Sequence, residues 1–527
     1  MRGWGYVRLS VIEILWLGLV VVACGWFALK HGQDASWDFR NYHWYIPFAF
    51  LNGRMSFDVL PAEEATYYNP LLYVPYYWIA THLSARLAVF FVGALGGLNI
   101  IPLHLLGRIA AAPAHRRWLA PVLGLAGVTG ATALSLLGST QYDNALCVLA
   151  LLGLALLVGA RSALRLGGSP AWWIAGIAGF VVGCAVGLKL SFVIYAVGLV
   201  AALLAVKGAP RAHFERLVAC GIGGALGVLL VSGFWFAKIY ALTGNPFFPL
   251  FNSIFGSPLV EAGTFTEAEF VPRDLGRALA FPFLFTADYG VAGYDAFDGS
   301  RVLVVYVLLI VVCVLWALRR ISRKPLVSHE PTRMLFAFAG GTYLSWLLLL
   351  GQYRYIVGLE ILAPLLIWAA VGLLPLSQRW RMGIVAVLLV GTALEEKTYD
   401  WNEKVPLSKP YVKVDLPALP HPEKTMILTA GTKEPTAYLI PSLPPGIPVL
   451  RIAGEVGDNA SKGTLWTMIA ERMRAHQGDL YLLISDEDRA KGRKAAAQYG
   501  LLMDEVGCAS FSSNLGGPYE LCPLRRG

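Results

Sequence analysis

The feature that most constrains this chain is a series of apolar runs of about 20 residues each, the length needed to cross a bilayer core as a helix. About eleven of them can be counted, near 10–30, 86–110, 118–137, 143–160, 170–187, 190–207, 215–236, 301–320, 333–351, 356–375 and 382–395. Of the 527 residues, 56% are hydrophobic and 15% are charged. A water-soluble fold of this size cannot bury so much apolar surface. The expected fold class is a polytopic α-helical membrane protein. Residues 70–83 are too aromatic and too proline-rich for a clean span and suit a helix at the membrane interface. The basic N-terminal stretch 1–10 leads into an apolar run that continues past Ala23-Cys24-Gly25, which reads as a retained signal-anchor helix.

The net charge of +9 invites comparison with nucleic-acid binders, but the basic residues sit in the short connections between apolar runs. Arg2 and Arg8, Arg116 and Arg117, Arg161 and Arg165, Lys207, Arg211 and Arg216, Arg319, Arg320, Arg323 and Lys324, and Arg379 and Arg381 all fall on one side when the spans alternate. By the positive-inside rule that side is cytoplasmic, with the N-terminus. The expected location is a bacterial inner membrane, and no nucleic-acid partner is expected. The opposite side then receives the loop 31–85, the loop 237–300 and everything after about residue 396.

Two domains follow. Residues 1–395 form the transmembrane domain with its two outer loops, and 396–527 form a soluble extracytoplasmic domain. In the latter, 426–429 and 480–484 read as buried strands, and 465–476 and 487–499 as helices, which suggests a small α/β fold. Cys24, Cys147, Cys184, Cys220 and Cys313 lie in apolar runs and read as buried apolar side chains. Cys508 and Cys522 lie in the polar region and suit a disulfide in an oxidising compartment. No P-loop, HExxH or CxxC pattern is present, so an ATPase, a zincin or a thioredoxin-like enzyme finds no support.

The chemistry-capable residues collect on the outer side. The stretch Trp37-Asp38-Phe39-Arg40-Asn41-Tyr42-His43-Trp44-Tyr45 places an acid, a base, an amide, an imidazole and several rings just after the first span. Asp38 suits a proton acceptor, or more plainly the cap of a helix over 39–52. Asp58, Glu63 and Glu64 are loop carboxylates, either further acids or simply solvated groups. Asn69-Pro70 marks a turn into a helix. Asp143 lies in the polar turn 139–144, as a functional acid or a cap for the fourth span. Lys189, Lys238 and Arg354 place three cations in outer turns, against the charge bias, and together suit a phosphate at the interface. Gly244-Asn245-Pro246-Phe247-Phe248-Pro249 opens the second outer loop.

Five of these elements, in this order, resemble the GT-C superfamily of membrane glycosyltransferases, which includes protein O-mannosyltransferases, lipid A aminoarabinose transferases and oligosaccharyltransferases. They are Asp38 after the first span, Tyr67-Tyr68-Asn69-Pro70 before the second, Asp143 before the fourth, the loop Gly244 to Pro249, and Arg354-Tyr355 opening a late helix. The resemblance covers about residues 10–395. It implies transfer of a sugar from a polyprenyl-phosphate or diphosphate donor to a lipid, glycan or protein acceptor on the outer face.

Under it, Asp38 is the base or a metal ligand and Asp143 orients the acceptor. Lys189, Lys238, Arg354 and Tyr355 face the donor phosphate. Asn41, Tyr42, His43, Asp58, Glu63, Tyr68 and Asn69 are candidate substrate contacts. Many members carry two adjacent acids in the first loop; here Phe39 follows Asp38, which favours metal-independent chemistry. A divalent cation would need Asp58 or Glu63 as a second acid, and no other cofactor is expected. Two further classes compete. A transporter or lipid flippase would carry ionisable residues in the middle of its spans, which are nearly free of them here. A non-catalytic scaffold would use 396–527 as its binding domain.

Overall fold

The computed structural model describes residues 9–111, 116–263, 269–294, 297–322, 324–398 and 404–527. Arg2, Arg8 and Arg323 of the basic pattern lie outside them. The chain divides into two compact units. One comprises Met1–Lys30, Phe90–Ser232 and Glu267–Trp401; the other comprises His31–Val89, Gly233–Thr266 and Asn402–Gly527.

The first unit is helical. Among the described residues of the whole chain, five helices are long and apolar enough to cross a membrane: Val11–His31, Ala85–Ala110, Ser169–Leu188, Pro210–Thr243 and Tyr353–Gly372. Shorter apolar helices occupy Asp143–Gly159, Leu190–Leu204, Leu275–Ala287 and Arg301–Ala317. Leu275–Ala287 falls where the sequence suggested only loop. Its apolar composition sustains a helix around Pro282, with Asp274 accepting from Arg277 N as the cap. The expected run 118–137 is broken into helices Arg116–Val128 and Ala131–Ser135. At the break Gly130 leaves room for Glu360, whose Oε1 would lie 2.1 Å from an added Cβ.

Helix Val357–Gly372 is buried along its entire length. A helix apolar all round has to lie inside its neighbours, and this one does. Outer helices leave one face open: Val11, Ile12 and Leu15 of the first helix, Leu226, Leu229 and Leu230, and Val387, Val390 and Leu394 are all exposed. Exposed apolar faces of this kind suit contact with lipid.

Between Ser169–Leu188 and Pro210–Thr243 the contact is made by glycines. An added Cβ would come within 2.1 Å of Cys220 O at Gly179, 2.2 Å of Gly224 O at Gly183, and 1.9 Å of Gly176 O at Gly223. Backbones approach this closely only where side chains are missing, the usual solution when the surrounding solvent is itself apolar.

The second unit is built on a six-stranded sheet. Strands β1 (Thr425–Ala430), β2 (Val449–Ala453), β3 (Asp479–Ser485), β4 (Leu501–Met503), β5 (Ala509–Ser513) and β6 (Gly516–Arg526) lie in the order β2-β1-β3-β6-β4, with β5 also on β6. β1 is parallel to β2 and β3, and β6 runs antiparallel to β3. Helices Thr464–Ala475 and Arg489–Gln498 complete the α/β arrangement, and Cys508 and Cys522 are joined by a disulfide.

The boundary drawn from sequence at 396 needs correction. Residues 402–527 do not form a compact unit alone; two earlier segments are built into it. Val59 pairs in parallel with Leu450 at the β2 edge, and Gln33 pairs antiparallel with Val405. Trp235, Ile239, Phe248 and Val260 share a core with Leu450, Ile452, Trp466 and Leu482. An edge strand exposes unpaired backbone groups, so it was the natural place for a distant segment to dock.

The glycine contact gives a stability test. Gly183→Ala should lower the melting temperature of the detergent-solubilised protein by an overpacking cost of about 1–3 kcal/mol. Gly383→Ala, at a helical position with nothing within 4 Å of the added methyl, should leave it unchanged or raise it. Equal responses from the two would show that the close approach at Gly183 is not tight.

Candidate functional site

Within the first unit, three of the residues proposed from sequence meet on one carboxylate. Asp143 begins helix Asp143–Gly159, and the preceding Tyr142 holds a left-handed backbone with φ of 61°. That conformation is uncommon for a tyrosine and sharply reorients the chain. Lys189 ends helix Ser169–Leu188 in an extended conformation, where a cation also favours the helix C-terminus. Arg354 lies in the 3₁₀ turn Tyr353–Ile356 that leads into the central buried helix.

Lys189 Nζ lies 2.7 Å from Asp143 Oδ1 and donates to Gln141 O at 3.0 Å. Arg354 Nε faces Asp143 Oδ2 at 3.5 Å. Side-chain exposure orders the three: 0% for Asp143, 16% for Lys189 and 11% for Arg354. The carboxylate is therefore inside and the two cations are partly exposed. Both cations also lie against the Tyr355 ring, at 5.5 Å for Lys189 Nζ and 5.4 Å for the Arg354 guanidinium.

The turn that carries Arg354 is held from behind. Tyr195 Oη donates to Tyr355 O at 2.8 Å and accepts from Gly358 N at 2.9 Å. Trp346 Nε1 donates to Gln352 O at 2.6 Å. Tyr353 Oη donates to Glu360 Oε2 at 3.2 Å, and Ala133 N donates to Glu360 Oε1 at 3.1 Å. Tyr195 and Glu360 are residues that sequence reasoning missed. Glu360 is an ionisable group near the start of a span, outside the mid-span regions that the sequence leaves nearly free of such groups. It is fully buried in the first turn of Val357–Gly372, and Arg301, which pairs with Glu396, attracts it electrostatically. A single acid inside an apolar run was the only signal for it.

The second unit holds the segment with Asp38. Phe39–His43 forms a π-helical turn, followed by helix Tyr45–Leu51, in place of the single helix 39–52. Such turns splay side chains out of the regular α spacing and often occur at functional sites. Asp38 occupies the N-cap position but makes no capping hydrogen bond, so the plainer reading of it as a cap does not hold. Asp38 is half-buried.

Around it the candidate contacts gather. His43 stacks on Tyr73 with centroids 4.5 Å apart, and Tyr42 meets Tyr68 edge-on at 5.7 Å. Asn41 is buried, and its Nδ2 has no hydrogen-bond partner among the described residues. Asn69 accepts from Leu71 N and caps the turn Pro70–Leu72, a structural task. Asp34 and Arg40, both buried, were also passed over in the sequence.

Asp58 and Glu63 turn out to be architectural, which removes them as substrate contacts or second metal acids. Asp58 Oδ2 accepts from Arg54 Nε and Tyr45 Oη, each at 2.8 Å, and its Oδ1 accepts from Arg54 and from Val449 N, each at 2.9 Å. Burial pushes this carboxyl above its ordinary range, and the Arg54 fork opposes the rise. Burial also pushes up the Tyr45 hydroxyl, so it stays a donor. Glu63 pairs with Arg451 at 2.9 Å, and Arg451 also donates to Leu60 O and Pro61 O. Both oxygens of Asp58 are committed to partners that hold the segment 54–60 on β2. Lys238 lies over the rings of Trp235 and Phe50, at 5.5 and 5.9 Å, in the second unit.

No protein-family model matches this sequence, and no curated protein compared with it matches either.

If Asp58 is structural, Asp58→Ala should destabilise the solubilised protein by about 3–5 kcal/mol, because it strands a buried guanidinium. The double variant Arg54→Met/Asp58→Leu should recover much of that loss in the same thermal melt. A single variant as stable as the parent would return Asp58 to the list of candidate acids.

Proposed function

We propose that this protein is an integral membrane glycosyltransferase of the GT-C kind. It moves a sugar from a polyprenyl-phosphate-linked donor to a lipid, glycan or protein acceptor. The proposal places it in a bacterial inner membrane with about eleven spans, the N-terminus cytoplasmic and residues after about 396 on the outer side. The observation that carries the reading is the Asp143–Lys189–Arg354 cluster. Residues far apart in the chain bring two partly exposed cations to one buried acid.

A phosphate-linked sugar brings its own leaving group, so the protein has two tasks. Lys189 and Arg354 hold the phosphate and stabilise the charge that grows on it as the bond to the anomeric carbon breaks. Asp143 fixes the spacing and orientation of both cations. The GT-C resemblance, and no geometry between the two units, assigns to Asp38 the proton that the acceptor hydroxyl gives up as its oxygen attacks the anomeric carbon. The electron pair of the broken bond leaves with the phosphate. Tyr68, partly exposed and packed edge-on against Tyr42, offers an apolar face suited to a sugar ring or an acceptor. Asp58 and Glu63 are already engaged, which supports chemistry without a paired-acid metal site.

The test is mass spectrometry of lipids and surface glycans from cells with and without the protein, followed by transfer assays in membranes. Asp38→Asn should accumulate normally and lose transfer by about 100-fold or more, the scale of a missing general base. Arg354→Ala should raise the donor KM about tenfold or more, from loss of a charge-assisted contact. Full activity in the first variant, or an unchanged donor KM in the second, refutes the corresponding role. Flux of a lipid-linked sugar across proteoliposomes with no covalent product would favour a flippase instead.

A further inference from the structure

In open α/β sheets a ligand usually sits beyond the carboxyl ends of the parallel strands, at the point where strand order reverses. Here that point lies at β1, which has β2 on one side and β3 on the other. The loop after β1 has the features of an anion cradle. Gly431 adopts φ of +104°, and the backbone N–H groups of Thr432, Lys433 and Glu434 converge.

The cradle is filled by the protein itself. Asp488, buried just after β3, accepts from Thr432 N at 3.2 Å, Lys433 N at 3.0 Å and Glu434 N at 3.2 Å. An added Cβ at Gly431 would lie 2.3 Å from its carboxyl carbon, so only glycine admits the acid. A nucleotide or phosphate has no place there.

What the loop does hold is the segment with Asp38. Trp37 Nε1 donates to Lys433 O at 3.2 Å. Arg40, buried, pairs with Glu434 and donates to Ala35 O at 2.9 Å. Residues on both sides of Asp38 are thus tied to a four-residue loop whose own backbone is pinned by one internal carboxylate. Gly516 keeps the wall beside Arg40 open, since a Cβ there would lie 2.7 Å from its guanidinium.

We propose that Glu434 and Asp488 are positioning residues for Asp38, and that residues 402–527 act as a clamp on the first outer segment and not as a separate ligand-binding domain. The importance of Asp38 itself rests on the function proposed above. The clamp does not.

The test therefore reads position separately from transfer. In detergent-solubilised full-length protein carrying Asp38→Cys, the rate of alkylation by a charged maleimide is followed at that peptide by mass spectrometry. Adding Glu434→Gln should raise the rate about tenfold or more, as expected when a charge-assisted hydrogen bond no longer opposes opening of the segment. Asp488→Asn should do the same, while Glu505→Gln, at an exposed ion pair with Arg489, should not. Because Asp488→Asn risks unfolding the sheet, the exchange Arg40→Glu/Glu434→Arg provides a second arm: it should return the rate toward the parent value where either change alone raises it.

With Asp38 intact, Glu434→Gln should lower kcat for transfer and leave the donor KM unchanged. An unchanged alkylation rate in both Glu434→Gln and Asp488→Asn overturns the clamp whatever the activity. A raised rate together with full transfer by Asp38→Asn keeps the clamp and refutes the base.

Discussion

In the helical unit, the constraint on which everything else depends is that an ionisable side chain far from water must bring its partner with it. Asp143 is fully buried and is tolerable only because Lys189 lies 2.7 Å away and Arg354 3.5 Å away. Glu360 is tolerable because Ala133 N and Tyr353 Oη donate to it. These pairings decide local backbone as well as charge. The helix over 116–135 breaks at Gly130 where Glu360 needs room, and the turn with Arg354 leads directly into a helix buried along its entire length. A cation placed on such a turn is held in one position, since nothing behind it can move without opening a close-packed interior.

The sheet unit solves a different problem by related means. A short edge strand, β2, is covered by Val59, and the joint is sealed by two buried ion pairs, Arg54–Asp58 and Arg451–Glu63. Each pair is also hydrogen-bonded to backbone on the other side of the joint, to Ile447 O and Val449 N in one case and to Leu60 O and Pro61 O in the other. Buried charges used this way give orientation more than stability, because desolvation cancels most of their attraction. The same economy appears at Asp488, where an internal acid occupies the place that a ligand takes in many α/β sheets.

Much of the architecture was legible in the sequence. Long apolar runs became helices near their expected limits, and the alternation of strand and helix after residue 425 was visible in short apolar stretches. The cations Lys189 and Arg354 and the acid Asp143 stood out because each is costly beside an apolar run. Residues of the kind that hold them did not stand out. Tyr195 looks like any aromatic in a helix, and Arg40 and Glu434, 394 positions apart, look like ordinary charges until they are seen paired. Asp58 and Glu63 misled for the opposite reason: as loop carboxylates they resemble site acids, and their commitment to Arg54 and Arg451 is a fact of packing.

Local composition determined most of the apolar helices and which polar residues are anomalous. Helix periodicity and the cost of burying charge act over a few residues, so a linear reading captures them. Which charges neutralise each other, which loop completes which sheet, and whether an acid is a tool or a brace were decided only by the tertiary structure. Those outcomes depend on distances of a few ångströms between groups hundreds of residues apart, and no local preference encodes them.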